Sequence, residues 1–179
     1  MAKNAIVRTD GMSGTKDPTL TVSLKYYTTV DSVETPTAIQ NASIVVLGDK
    51  LTLDSTTTPV TVSREVYKAT TPTSSADIKD IVLVANPELF YDESRHHDLS
   101  EYINEAGEVI RGYVLHKRDN FSATAEAFQG TPAIGSYVVV GNTTKLVISA
   151  TATGVTVIGK IDQIETIGKD TYYHVQCAF

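Results

Sequence analysis

Asp170-Thr171-Tyr172-Tyr173-His174-Val175-Gln176-Cys177-Ala178-Phe179 alternates strictly. Tyr173, Val175, Cys177 and Phe179 fall on one face and Tyr172, His174, Gln176 and Ala178 on the other, the two-residue period of a half-buried strand. The turn before it is Gly168-Lys169-Asp170. Further back, Tyr137-Val138-Val139-Val140 runs into Gly141-Asn142, Leu146-Val147-Ile148 follows, and 155–164 carries Val155, Val157, Ile158, Ile161 and Ile164 around Gly159. β-Branched and aromatic runs punctuated by Gly, Asn and Asp predict short antiparallel strands. The last third, 136–179, therefore reads as a β-roll or small barrel.

The same texture extends towards the amino terminus. Leu20, Val22, Leu24 and Tyr26 alternate with Thr21, Ser23, Lys25 and Tyr27, which predicts a strand with one polar face. The segment 31–41 holds Pro36 and reads as a loop. Ile44-Val45-Val46-Leu47, Gly48-Asp49-Lys50 and Leu51-Thr52-Leu53 read as a hairpin. Val60, Val62 and Val66 repeat the alternation after Pro59. Ile81-Val82-Leu83-Val84 is apolar on both faces and is expected deep in a sheet, ended by Asn86-Pro87. Two further strands are read over 109–115 and 121–128.

One helix is predicted, over 98–106. Asp98 can cap it, Glu101 sits at the third helical position, and Leu99, Tyr102, Ile103 and Ala106 share a face before Gly107. The expected class is thus mainly β, with at most one or two short helices. Antiparallel strands form a C-terminal β-roll or small barrel packed with an N-terminal β module. The parts are an arm (1–18), an N-terminal module (19–90) and the C-terminal roll (91–179). Gly11, Gly14, Asp17 and Pro18 make a regular element in the arm unexpected, so it is either a loose end or a segment ordered along a neighbouring subunit.

Composition narrows the functional classes. A chain of 179 residues has room for one domain or two small modules. The net charge of −6 argues against coating nucleic acid, which needs clustered Lys and Arg. Cys177 is the only cysteine, so a framework of disulfides within the chain is excluded, and its place beside Val175 and Phe179 marks a small buried hydrophobe. No stretch approaches the length of a membrane span, and the first residues lack the apolar centre of a signal peptide. Synthesis and assembly in a cytoplasm are expected.

Chemistry is sparse. Asp92-Glu93-Ser94-Arg95-His96-His97-Asp98 contains metal-ligand types, but adjacent histidines do not converge on one ion from regular backbone, and a solvated loop is the preferred reading. His116 lies in a basic patch of three residues, too small for nucleic acid, and His174 is expected on a polar face. No nucleophile elbow, phosphate loop or dinucleotide glycine loop is present. These readings point away from catalysis, with no catalytic residue, cofactor or metal assigned.

Four stretches carry a resemblance. Val84-Ala85-Asn86-Pro87-Glu88-Leu89-Phe90-Tyr91-Asp92-Glu93 is followed by Asn104-Glu105-Ala106-Gly107-Glu108-Val109-Ile110-Arg111-Gly112-Tyr113. After them come Asp119-Asn120-Phe121-Ser122-Ala123-Thr124-Ala125-Glu126-Ala127-Phe128 and the run from Val157-Ile158-Gly159-Lys160-Ile161 through Tyr173. Together they resemble the small structural proteins of tailed bacteriophages encoded near the major capsid protein, over about the last hundred residues. The resemblance implies a capsid decoration (head cement) protein at the virion capsid surface, made in the host cytoplasm. Its partner would be the major capsid protein, with many copies on a lattice or a homo-oligomer, and neither nucleic acid nor membrane. Ile6, Val7 and Arg8 are the candidate interface, because Ile6 and Val7 are apolar in an otherwise unpatterned arm. Two other expectations stand beside this one: a tail or head–tail connector subunit, and a carbohydrate-binding module using Tyr26-Tyr27, Tyr91, Tyr102 and Tyr172-Tyr173 as platforms, weakened by the absence of Trp.

Overall fold

The computed structural model describes residues 3–53, 61–88 and 98–178. Pro59, Val60, Tyr91, the polar run 92–97 and Phe179, all used in the sequence reading, lie outside the described residues. Within them the chain is mainly β, as expected. Its strands are β1 (Val7–Gly11), β2 (Thr21–Val30), β3 (Val33–Pro36), β4 (Ile44–Leu53), β5 (Thr61–Thr70), β6 (Ile81–Val84) and β7 (Ile110–Val114). They continue as β8 (Asn120–Thr124), β9 (Phe128–Gln129), β10 (Tyr137–Val139), β11 (Leu146–Ser149), β12 (Val157–Ile167) and β13 (Asp170–Cys177).

Two sheets result. The first runs β3-β2-β5-β4-β6-β7, and a further pairing of β7 with β2 closes it. Thr21 to Leu24 lie antiparallel to Tyr113 to Ile110, while Ser23 to Tyr26 lie parallel to Val66 to Ala69 on the other side. A ring of β2, β5, β4, β6 and β7 therefore forms a small barrel, with β3 as a hairpin appendage of β2. A barrel this narrow is filled by its own side chains. Leu24, Tyr26, Val45, Ala69, Val82, Val84 and Ile110 do so, all buried. Gly112 faces the same interior; a Cβ there would lie 2.7 Å from Leu24 Cδ2.

The second sheet is open, in the order β1-β8-β13-β12-β10-β11-β9. Its inner face carries Phe121, Ala123, Val138, Leu146, Ile158, Ile161, Val175 and Cys177, which meet Ile44, Ile81, Leu83 and Tyr113 on the barrel's outer surface in one continuous core. Alternation explains both layers. Val82 and Val84 point into the barrel while Ile81 and Leu83 point to the open sheet, which is why β6 is apolar on both faces. The parts read from sequence interlock: β7, from 91–179, closes the barrel, and β1, from 1–18, is an edge of the open sheet. Gly159, between Ile158 and Lys160, lies where its strand crowds β13, and a Cβ would stand 2.2 Å from Gln176 O.

Several local readings need correction. The closed barrel expected in the last third forms instead from β2, β4, β5, β6 and β7, while the strands of 136–179 lie in the open sheet. The segment 31–41, read as a loop, holds β3, and the strand read over 121–128 breaks at a 3-10 turn, Ala125–Ala127, between β8 and β9. The helix expected over 98–106 is only a 3-10 turn, Leu99–Glu101, with Asp98 accepting from Ser100 N–H at 3.1 Å. Beyond it the backbone is extended, because Asn104 exchanges main-chain hydrogen bonds with Ile39, 3.0 Å each way. That pairing outweighs a short helix with little propensity of its own. Gly107 does take positive φ (+83°), but in a turn. The hairpin expected at Gly48-Asp49-Lys50 is instead part of one strand: β5 pairs with both halves of β4, and the mismatch is absorbed in irregular register between Leu47 and Thr52. The 1–18 arm, expected without regular structure, contains β1 and short 3-10 turns at Ser13–Thr15 and, running past it, Pro18–Leu20. Asp119 holds it down. This buried carboxylate accepts Ser13 N–H and Oγ–H at 2.9 and 2.5 Å on one oxygen and His116 N–H at 3.0 Å on the other.

Candidate functional site

The residues expected at an interface lie on and beside β1. Ile6 is buried, its N–H donating to Thr124 Oγ1 at 3.2 Å and its carbonyl accepting from Thr124 N–H at 3.1 Å. It belongs to the interior of this chain and offers no free contact surface. Arg8 is half-exposed on the outer face of the open sheet. Its guanidinium meets Asp10 at 3.3 Å and Glu165 at 3.6 Å and lies 5.7 Å from the centre of the Tyr172 ring. Glu165 also meets His174 Nε2 at 3.3 Å, a pair that is ionic only with the imidazole protonated. Arg8, Ser122 and His174 stand in one cross-strand row, which Glu165 reaches diagonally from its place opposite Tyr172, and exposed pairs of this kind contribute little stability. Burial raises the Tyr172 phenol above its usual range, with Asp170 adding to the effect and Arg8 opposing it.

Val7 packs its half-buried side chain against the shared core, and it differs from the other two in the direction of its main chain. Val7 pairs with Ala123 and Arg8 with Ser122 in an antiparallel ladder. Ile6 and Arg8 turn their main-chain groups towards β8, so Val7, one residue out of phase, turns its N–H and C=O away from it. Beside that edge opens a cleft of about 180 Å³ between Val7 and Thr9 on one side and 85–88 on the other, floored by Arg111 and Tyr113 of β7. Arg111 is exposed, and its guanidinium makes no hydrogen bond or ion pair with a described residue.

The far wall of the cleft is rigid. Asn41, buried at 1% exposure, accepts Asn86 N–H at 3.0 Å and donates to Asn86 O and Glu88 Oε1 at 2.9 and 3.0 Å. Asn104, fully buried, donates to Asn41 Oδ1 and Ile39 O, and Tyr102 bridges Asn86 and Asn104 through its hydroxyl. Buried carboxamides satisfied on every side fix the 85–88 backbone in place. Neither Arg111 nor the asparagine set gave a sequence signal, because their partners come from distant segments.

Other candidate chemistry is dispersed. No group of three metal-ligand side chains converges among the described residues. Asp98 pairs with Lys169, whose ammonium, with Ser100 N–H, lowers its carboxyl to about 2. Cys177 is buried, which pushes its thiol up to about 12, with Asp119 adding to the effect. Of the tyrosines considered as sugar platforms, Tyr26 lies in the barrel with its hydroxyl 2.7 Å from Thr71 Oγ1, Tyr172 is buried, and Tyr173 packs edge-on against Phe128 at 5.7 Å. Large apolar side chains are exposed at Val30 (62%) and Val33 (63%), cross-strand partners at the end of the β2–β3 hairpin, and at Ile134 and Ile167. No described helix is long and apolar enough to cross a membrane. No family model, curated protein or solved structure matches the chain.

Proposed function

We propose that this chain is a non-enzymatic virion protein that decorates and stabilises the assembled capsid of a tailed bacteriophage, contacting the major capsid protein in many copies. The observation that supports this most directly is the Val30–Val33 pair, two valines more than three-fifths exposed and side by side at the end of a hairpin that reaches beyond the barrel. Single exposed apolar residues are ordinary, but an apolar pair on a projecting element fits a surface that is covered in an assembly. A cement protein needs a stiff body and projections that touch more than one neighbour, and multivalency on a lattice then strengthens weak individual contacts. The two-layer β body and its hairpins suit that requirement.

Co-sedimentation with expanded empty capsids lacking the protein tests the reading. Saturable binding near one copy per capsid subunit is expected, with a marked loss for the Val30→Thr, Val33→Thr double variant at unchanged thermal midpoint. A failure of the wild-type chain to bind its cognate shell would sink the proposal. The alternative of a tail or connector subunit predicts a copy number per particle set by a closed ring, far below that of a lattice.

A further inference from the structure

We propose that the open edge of β1, with the Arg111 cleft beside it, receives an extended segment of another polypeptide that presents an acidic side chain to Arg111. This rests on the decoration reading and names the chemistry of the partner segment, expected on the shell subunit.

Three observations converge. The other edges are blunted or short: β9 has two residues, and β3 carries Pro36 together with a Glu34–Lys68 ion pair. These are common ways of discouraging a further strand. At β1, Val7 lines the cleft, and its N–H and C=O, turned away from β8, bond to no described residue, while Thr9 gives its carbonyl to Met12 N–H at 2.9 Å. An outward donor and acceptor on an extended edge match another backbone, which small solutes do not mimic along their length. Secondly, the opposite wall does not need the space, because Asn41 and Asn104 hold 85–88 back through bonds of their own. The cleft's volume of about 180 Å³ is well above what a single water needs and admits a side chain.

Charge supplies the sign. The chain is acidic overall, at −6, yet the cleft floor holds an arginine with no counter-ion among the described residues. Its planar fork suits a carboxylate. Glu88 stands on the other wall with Oε1 engaged by Asn41, leaving an acceptor suited to a hydroxyl or main-chain N–H. Tyr113, Val7 and Pro87 provide the apolar surface between. The recognised segment is therefore extended and carries a carboxylate; β-branched residues beside it favour that extended form.

The test titrates the ¹⁵N-labelled full chain with the capped peptide Thr-Val-Glu-Val-Thr, with its Thr-Val-Gln-Val-Thr counterpart, and with Thr-Val-Lys-Val-Thr. Shifts are expected at the amides of Val7, Thr9 and Asn86, with the Gln peptide about tenfold weaker and the Lys peptide weaker still. Val7→Pro removes an N–H that β8 does not use and gives up part of the Val7 packing on the core, so a lower thermal midpoint with unchanged amide dispersion is expected while peptide binding is lost. Arg111→Glu, on an exposed position, reverses the preference towards the Lys peptide. Binding that Val7→Pro leaves intact, equal affinity for the Glu and Gln peptides, or shifts centred elsewhere would overturn the proposal. So would concentration-dependent self-association abolished by Val7→Pro, since the edge would then be taken by a second copy. Wild-type shell binding that survives both variants removes the cleft but leaves the decoration role standing, whereas a wild-type chain that binds the peptide but no shell removes only the latter.

Discussion

The barrel and the open sheet are made from the same kinds of residue, yet they treat their edges in opposite ways. In the barrel, β7 returns to β2, so every ring strand has a neighbour on both sides, and only the β3 hairpin hangs free. In the open sheet, β1 and β9 end the hydrogen-bonding pattern, and at β1 a rigid wall keeps a cleft open alongside. Closure removes the template for further strand pairing; an open edge retains it. Stability is accordingly concentrated in the ring and in the core between the layers, and capacity for contact in the open edge and the hairpin end.

Glycine substitutions give the sharpest contrast between the two. Gly159→Ala would drive a Cβ to 2.2 Å from Gln176 O, a backbone atom that cannot yield without parting β12 from β13. We expect a loss above about 4 kcal/mol, read as failure to recover folded protein or a collapsed urea midpoint. Gly112→Ala in the barrel meets the end of the Leu24 side chain at 2.7 Å, which can turn aside, and should cost about 1–3 kcal/mol. Equal costs would break the comparison.

Core truncations ask whether the layers unfold together. Phe121→Ala, between the layers, should cost about 3–5 kcal/mol and Leu24→Ala, inside the barrel, about 2–5 kcal/mol. Because Ile44, Ile81 and Leu83 belong to both the barrel wall and the shared core, one unfolding transition is expected in each case. Two resolved transitions in Leu24→Ala would show the barrel to be an independent unit.

The clasp on the amino-terminal segment comes next. Asp119→Asn replaces one acceptor oxygen by a donor facing either Ser13 or the His116 N–H, at a cost of about 1–3 kcal/mol. Hydrogen exchange should then quicken at β1 before it does at β12. Cys177 offers a probe of the shared core without mutation. With its thiol raised to about 12, it should resist alkylation at pH 8 until the chain unfolds. Its contribution to stability is complete below the ordinary thiol range and falls as pH rises from there towards about 12, since only the unfolded thiol ionises.

The smallest effect is expected at the surface. Asp98, lowered to about 2 by Lys169, stabilises the fold above the ordinary carboxylate range and ceases to as pH falls through about 2. Lys169→Gln should flatten that part of the acid-denaturation curve only slightly, and salt should reduce the difference further.

Some of this was legible in the chain and some was not. The alternation of 170–179 put Val175 and Cys177 in the core and His174 on the polar face, as the described residues do. Side-chain direction in a strand is a local property of the pleat, so a short window suffices. The helix at 98–106 failed for the opposite reason: its spacing was right, but Asn104 is claimed by Ile39, far off in sequence. Arg111 gave no sign either, because its cleft is formed by β1 and 85–88, which meet it only after folding. Patterning by itself determined that most of this chain is built of strands and, where alternation is clear, which positions enter the core; it missed β1 and β3 and the burial of Tyr172 on the outer face. Which strands become neighbours, where the ring closes and which edge stays open were decided only by the tertiary structure, because long-range pairings such as Thr21 with Tyr113 leave no periodic mark in either segment.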